Sequence, residues 1–274
     1  MTAWTEVTPA APSPRRLLLG LRREFANWYV LGPVSWVVLP SRCPPRGGVK
    51  SLARRHVTVA VRGGYRAECR IDEFFSFVEV FVLREYEIAG VPWTSVRTIV
   101  DVGANVGAAT LWFAQKAPES TIIAVEPSSE AARLLTRNVR VNRLDGRVRV
   151  AAVALADRAK EVALRQVGSS VFGKTTERES TPGERVAALS LGDLLEQHGL
   201  DEVDVLKLDC EGAEFDILHS SDDRLLRRHR FIVGEYHAEK RAELEGLLSR
   251  LEAARFSVSS SGGESLGLFR AVRT

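Results

Sequence analysis

A glycine-rich turn is the first part of the sequence that could do chemistry. Residues 99–102 form a short apolar run, which predicts a buried parallel strand, and Gly103 and Gly107 follow it in the spacing Asp-x-Gly-x-x-x-Gly. Beyond Gly107 apolar residues recur on one face at helical spacing, so the turn opens a helix. Free N–H groups and a partial positive charge, beside glycines without side chains, predict a site for a phosphate or for an amino-acid carboxylate.

Acidic residues at the ends of two apolar runs indicate which ligand this turn takes. Asp101 would repel a pyrophosphate but could pair with an ammonium group, and the Gly-x-Gly-x-x-Gly fingerprint of dinucleotide sites is absent. The next apolar run, residues 122–125, ends in Glu126 and Pro127, and an acid at the end of a second strand suits a ribose diol. An ammonium group, a carboxylate and a ribose together describe S-adenosylmethionine better than NAD.

Two later apolar runs also end in residues that could do chemistry. Asp209 and Glu211 follow one run, and Glu235 and His237 follow the next. Ligands of open parallel sheets bind outside the carboxyl ends of the strands, so we expect these side chains at one site. His237 could take a proton from a substrate hydroxyl while a carboxylate holds its tautomer, and a structural Glu–His pair is the alternative.

The remaining motifs narrow the reaction class. Asp209, Glu211 and His237 could supply a base or three metal ligands, but their spacing is not diagnostic of a metal, and we predict none. Asn-Pro-Pro-Tyr and Asp-Pro-Pro-Tyr, which suit amine nitrogen acceptors, do not follow the fourth strand, and this favours an oxygen acceptor. The Gly-x-Ser-x-Gly elbow and the Walker loop are absent as well.

Alternating strand and helix patterns must position these residues. They predict an α/β fold with a doubly wound sheet. Residues 148–155 and 161–165 are predicted as a third strand and a side strand, and residues 256–259 with 265–270 as a final antiparallel pair. Residues 168–184 have no apolar period, which predicts a loop that could act as a lid.

The chain before the glycine-rich turn is predicted to be an extension. Apolar residues at helical spacing over residues 15–29 predict an amphipathic helix that docks on the core or on another subunit, with contact to a membrane surface as the lesser alternative. Alternation around Gly63 and Gly64 predicts a hairpin, and an aromatic helix is expected over residues 72–88. The predicted domains are residues 1–56 with the amphipathic helix, 57–95 with the hairpin and the aromatic helix, and 96–274 with the donor site.

Composition limits the class of protein. The 274 residues are 45% hydrophobic, which allows a large core, and a net charge of +3 without a basic stripe does not predict a nucleic-acid partner. Three cysteines without Cys-x-x-Cys spacing argue against a disulfide framework or a zinc site and fit a reducing cytosol. We find no signal peptide and no apolar run of membrane-spanning length, so a cytoplasmic location is expected, and a homo-oligomer stays open.

These motifs resemble those of the FkbM family of S-adenosylmethionine-dependent methyltransferases. Residues 100–107, Val-Asp-Val-Gly-Ala-Asn-Val-Gly, are similar to the first motif of the family, and Glu126-Pro127 is similar to the second. Residues 204–214 resemble its Lys-x-Asp-x-Glu-Gly-x-Glu signature, which is the most specific match. Residues 154–157 resemble the third-strand segment, and residues 235–237 the Glu-x-His of the fifth strand.

The resemblance implies a class I, Rossmann-like fold with a seven-stranded, mostly parallel sheet and an antiparallel C-terminal hairpin. It also implies methyl transfer from S-adenosylmethionine to a hydroxyl of a small molecule such as a sugar or a polyketide. Carried over by position, the donor would be held by Asp101, Gly103, Ala104, Asn105, Gly107, Glu126, Pro127 and Asp209, and the acceptor would face His237, Asp209 and Glu211.

Three rival functions differ from this one in a checkable way. An NAD-dependent oxidoreductase on a similar sheet would bind nicotinamide nucleotides, and the missing dinucleotide fingerprint counts against it. A non-catalytic scaffold would bind the cofactor without turnover, and the intact acids at the strand ends count against that. A glycan or protein acceptor would keep the methyl transfer, and the amphipathic N-terminal helix is its one hint.

Overall fold

The computed structural model describes residues 56–61, 63–164 and 183–274, with only the backbone of Asp72. The predicted N-terminal amphipathic helix, nearly all of the predicted extension and most of the predicted loop over residues 168–184 lie outside these ranges. None of the helices within them is both long enough and apolar enough to cross a membrane.

A seven-stranded sheet forms the centre of the described fold. Its strands are β3 Thr98–Val102, β4 Thr121–Val125, β5 Val148–Ala151, β9 Val203–Leu208, β10 His229–His237, β11 Phe256–Gly262 and β12 Leu266–Arg273. Their order in the sheet is β11-β12-β10-β9-β3-β4-β5. Neighbouring strands from β10 to β5 run parallel, whereas β12 is antiparallel to both β10 and β11. This confirms the predicted Rossmann-like sheet with an antiparallel C-terminal pair.

Helices cover both faces of this sheet. The sheet separates the core into two large apolar clusters, one on each face. One cluster contains Ile99 and Val205 and the other contains Val100 and Leu206, because successive residues of a strand point to opposite faces. The helices are α1 Phe74–Phe81, α2 Ala108–Lys116, α3 Ser129–Val141, α4 Leu191–Gln197, α5 Ala213–Ser220, α6 Asp223–Leu226 and α7 Arg241–Ala253.

A hairpin and α1 add a further layer outside α2. Strands β1 (His56–Ala60) and β2 (Arg66–Arg70) pair antiparallel across the predicted glycine turn. Their apolar residues belong to the same cluster as α2, whose residues 108–114 are all buried. The sequence pattern predicted one buried face for this helix. That prediction was incomplete because the layer formed by the hairpin and α1 covers the outer face of α2.

One buried side chain joins the hairpin to the glycine-rich turn. Asn138 of α3 accepts a hydrogen bond from the Glu68 amide at 2.7 Å and donates to the Glu68 carbonyl at 2.8 Å. The same carboxamide donates to the Val106 carbonyl at 2.8 Å. A single side chain therefore satisfies backbone groups of both β2 and the turn.

The aromatic helix is shorter than predicted. A 3₁₀ turn over Ile71–Glu73 precedes α1, and α1 ends at Phe81, whereas the prediction ran to residue 88. The Leu83 amide bonds back to the Val78 carbonyl, and Arg84 has a φ of 55°. This left-handed residue ends the helix and turns the chain back toward the sheet.

Two strand boundaries also differ from the prediction. The predicted third strand over residues 148–155 is interrupted after Ala151, which pairs with the last residue of β4. Beyond it, β6 (Ala154–Leu155) joins a separate sheet with β8 (Glu184–Leu189) and β7 (Lys160–Leu164), and β7 is the predicted side strand. The fifth strand, β10, continues to His237 because β12 still pairs with it where β9 has ended.

Candidate active site

The glycine-rich turn lies directly against the end of the neighbouring strand. Gly103 has a φ of +72°, and a Cβ there would lie 1.8 Å from the Asp209 carbonyl oxygen, so the position accepts no side chain. The amides of Gly103 and Ala104 both donate to the Val125 carbonyl at 3.0 Å. Gly107, with a φ of +99°, caps the N-terminus of α2. The predicted turn is therefore held between the ends of β4 and β9.

Glu126 connects this turn to the end of the second strand. Its Oε2 accepts from the Asn105 amide at 2.9 Å and its Oε1 from the Ser128 amide at 2.8 Å. Pro127 lies between Glu126 and Ser128 in the chain and has no backbone N–H to donate. Burial raises the pKa of Glu126 to about 7, although both backbone hydrogen bonds lower it. Each oxygen keeps a lone pair, and a ribose diol could donate to both.

Asp101 lies beneath the turn and not at its surface. Its carboxylate is fully buried, Thr110 Oγ1 donates to Oδ2 at 2.6 Å, and Lys207 Nζ lies 3.2 Å from Oδ1. The predicted direct contact with a donor ammonium group does not fit this geometry, because the charge is already paired inside the protein. Asp101 instead supports the turn through its neighbours.

Lys207 is the cation at the centre of the site, and it is fully buried. Besides the Asp101 carboxylate, its Nζ donates to the carbonyls of Val102 at 3.1 Å and Gly103 at 2.8 Å. Burial lowers the pKa of Lys207, but Asp101 and Asp209 raise it above its ordinary value overall. The amine is therefore charged.

Asp209 lies at the end of β9, beside Lys207 and Tyr86. Tyr86 Oη donates to Asp209 Oδ2 at 2.8 Å, and Lys207 Nζ lies 3.7 Å from the same oxygen. Burial raises the pKa of Tyr86 well above its ordinary value, and the charges of Asp209 and Glu235 raise it further. The Tyr86 hydroxyl is therefore protonated and acts as a hydrogen-bond donor.

His237 lies between two carboxylates at the end of β10. Its Nε2 is 3.2 Å from Glu211 Oε2 and its Nδ1 is 3.4 Å from Glu214 Oε1. Burial lowers the pKa of His237, but Glu214, Glu211 and Asp209 outweigh it and raise the pKa to about 9. At neutral pH the ring is an imidazolium, so the predicted role as a base requires it to lose this proton first.

One group of described residues has a geometry that could hold a metal ion. Asp209, Glu235 and His237 each bring a ligand atom within 4.8 Å of the others, and all three are half-buried. Both imidazole nitrogens already face carboxylates, so a metal would have to replace one of these contacts.

A family model described as the methyltransferase FkbM domain matches residues 101–258, which include the turn, Glu126 and the strand ends that carry the acids. The chain belongs to the FkbM methyltransferase family.

Several methyltransferases are similar to this chain. Methyltransferase sdnD of Sordaria araneosa is 29% identical over 222 residues, which is 69% of this chain and 85% of that protein. Methyltransferase 1 of Beauveria bassiana (strain ARSEF 2860) is 31% identical over 175 residues, 56% of this chain and 69% of that protein. The solved structure of methyltransferase FkbM from Methylobacillus flagellatus KT has a TM-score of 0.48 at 12% identity. The match covers 73% of this chain and 54% of the chain in that structure.

Three residues of this FkbM-family site were not predicted as site residues. Lys207 had a signal, since it is the one basic residue of a buried strand run in which all other residues except Asp204 are apolar, and it opens the signature motif. Glu214 closes the same motif. Tyr86 had no signal, because its segment was predicted to be helical.

Proposed function

We propose that this FkbM-family methyltransferase transfers a methyl group from S-adenosylmethionine to a hydroxyl oxygen of a small molecule such as a sugar, a polyketide or another secondary metabolite. The observation that carries the donor assignment is Glu126. It is a buried acid whose two oxygens are fixed by backbone amides next to a turn in which the Gly103 position accepts no side chain. That arrangement fits a ribose diol bound beside the glycine-rich turn.

The residues of the turn would hold this donor without an ion pair between Asp101 and the donor ammonium group. The backbone of Gly103 to Asn105 would lie against the methionine part, and Glu126 would accept from both ribose hydroxyls. The donor supplies an already activated sulfonium methyl group. The protein therefore contributes mainly position, and it must bring an acceptor oxygen in line with that methyl.

The acceptor would face the half-buried groups at the ends of β9 and β10. Asp209 and His237 lie close together there with Glu235, and Glu211 contacts the His237 ring. An alcohol becomes a good nucleophile only when its proton leaves, and a positioned base contributes about 10²–10⁴-fold. His237 would take this proton after losing its own, and Glu211 and Glu214 would stabilise the imidazolium that results.

The donor assignment is tested by calorimetry, with S-adenosylmethionine and NAD as parallel ligands. We expect binding of S-adenosylmethionine and no binding of NAD. The reverse result would favour the oxidoreductase, and binding of neither would remove the proposal.

The acceptor is tested by screening hydroxylated metabolites for release of S-adenosylhomocysteine. Amine analogues of each hit provide the matched comparison, because an oxygen acceptor predicts that they are poor substrates. Donor binding without turnover on any small molecule, glycan or protein would instead favour a scaffold.

A further inference from the structure

Lys207 makes contacts that differ from those of a simple buried ion pair. It lies opposite Asp101 on the neighbouring parallel strand and is 1% exposed. A salt bridge alone would place its ammonium against that carboxylate. Instead the ammonium lies between the carboxylate, at 3.2 Å, and two backbone carbonyls, the nearer at 2.8 Å. The shortest contact of Lys207 is therefore with the glycine-rich turn.

The carbonyl that Lys207 holds is the one where the turn begins. Val102 is the last residue of β3, and Gly103 is the first residue of the turn. Because a peptide group is planar, fixing the Gly103 carbonyl also fixes the direction of the Ala104 amide on its other side. The Ala104 amide donates to Val125, next to Glu126. Lys207 thus sets the path of the backbone that would lie against the donor.

The same ammonium also contacts the acceptor side. It lies 3.7 Å from Asp209 Oδ2 and 5.2 Å from the centre of the Tyr86 ring, whose hydroxyl donates to that carboxylate. The cation over the ring and the Tyr86 hydrogen bond hold Asp209 against the turn. Asp209 is also the residue whose carbonyl oxygen leaves no room for a Cβ on Gly103.

From these contacts we infer that Lys207 is a positioning residue for methyl transfer: its ammonium fixes the Gly103 carbonyl and the Asp209 carboxylate relative to each other, and so sets the donor-binding turn. The inference rests on the proposed function, since it concerns the binding of that donor. It assigns Lys207 no contact with the donor or the acceptor.

A merely structural role for Lys207 is the alternative, and it makes a different prediction. If the lysine only neutralises Asp101, then replacing both residues by a neutral pair should restore the site. Removing one partner of a buried pair leaves an uncompensated charge, whereas removing both does not. The informative comparison is therefore between Asp101→Asn and the double variant Asp101→Asn with Lys207→Met, because it changes Lys207 in a background without the ion pair.

The experiment measures binding of S-adenosylhomocysteine by calorimetry together with the thermal unfolding midpoint of each variant. We expect the double variant to melt no lower than Asp101→Asn, which retains a buried ammonium without its Asp101 partner, but to bind about 10- to 100-fold more weakly, since a hydrogen bond from a charged group is lost at the turn. Equal binding by the two variants would overturn the inference.

Lys207→Arg in the parent protein is a second test of the inference that does not depend on the double variant. It retains the charge but replaces the point-like ammonium with a planar fork. We expect weaker binding than in the parent protein, and full parental affinity would show that charge alone is sufficient and would also overturn the inference.

Lys116→Met is the matched control. Lys116 pairs with Glu87 at 2.7 Å and lies 5.2 Å from the Trp112 ring, so it loses the same kinds of contact outside the site. We expect it to bind like the parent. No binding by the parent protein itself would mean that the proposed function has failed, whereas tight binding by the parent and by the double variant would mean that only the role of Lys207 has failed.

Discussion

Glu126 is a buried acid whose charge has a cost for the unliganded fold. Its pKa of about 7 lies above the ordinary value of 4.5 because burial disfavours the charge. Between these pH values Glu126 binds more protons in the folded state than in the unfolded chain, so its contribution to the free energy of unfolding falls as pH rises through this window. The total effect is about 3 kcal/mol if the full difference applies.

At the residue scale, this predicts a pH dependence of donor binding that belongs to Glu126. The ionised carboxylate can accept from two ribose hydroxyls, so S-adenosylmethionine should bind more tightly as pH rises from 5.5 toward about 7, by up to about tenfold per pH unit. Calorimetry across this range checks it. Glu126→Gln should bind weakly at every pH. A variant that kept the parental pH dependence would show that another group titrates.

His237 gives a second residue-scale prediction, on the rate of reaction. Since its pKa is raised to about 9, the neutral form needed for a base increases with pH, and the rate should rise about tenfold per pH unit below about 9. Initial rates with an acceptor from the screen measure this. Glu211→Gln removes one of the carboxylates that raise the pKa, so its rise should level off at a lower pH. A flat profile between pH 6 and 9 would assign the proton to another group, such as Asp209.

At the element scale, the glycine-rich turn tolerates no side chain where it meets β9. Gly103→Ala would place a Cβ 1.8 Å from a backbone oxygen in a left-handed conformation, so donor binding should be lost and the thermal midpoint should fall. Gly90→Ala is the control, since Gly90 has a φ of +82° and open space around its Cβ position. Its cost should be the conformational term alone, about 1–2 kcal/mol. Equal losses in both variants would show that the contact with Asp209 is unimportant.

The elements also show where sequence patterns suffice. Strands β3, β4 and β9 were predictable because they are buried on both faces and appear as short, mostly apolar runs that acids or glycine follow, although Asp101 interrupts β3 and Asp204 and Lys207 interrupt β9. The end of α1 at Phe81 was not, because it depends on the left-handed conformation of Arg84, and arginine carries no local signal for it. The break between β5 and β6 depends on where the partner strands end.

The proximity of some residues at the strand ends could be predicted from the sequence, but their contacts could not. Asp209, Glu235 and His237 come together, since neighbouring strands of the sheet end beside each other. That Asp101 is paired with Lys207 and not available to a ligand depends on the register between β3 and β9, which a single sequence does not reveal.

For the whole molecule, His237 acts in the same direction as Glu126, and the buried His229 acts in the opposite one, because burial lowers its pKa to about 4. Glu126 binds extra protons in the folded state between pH 4.5 and about 7, and His237 does so between 6.5 and about 9. The contributions of Glu126 and His237 to stability are therefore lost as pH rises, whereas that of His229 is gained as pH rises to about 6.5. The thermal midpoint of the unliganded protein should change little below about pH 6.5 and fall from there to about pH 9. Calorimetric scans check this. Glu126→Gln should make the midpoint rise with pH below about 6.5, because His229 is then unopposed, and a parental midpoint that rises between about pH 6.5 and pH 9 would contradict the His237 assignment.

Asn138 has a consequence for how the molecule opens. Its one carboxamide bonds both to β2 and to the Val106 carbonyl, so the hairpin cannot detach without leaving a buried polar group of the turn unpaired. Amide protons of the hairpin and of the turn should therefore exchange with deuterium as one cooperative unit. A ligand seated in the turn would then slow exchange in a hairpin that it never touches.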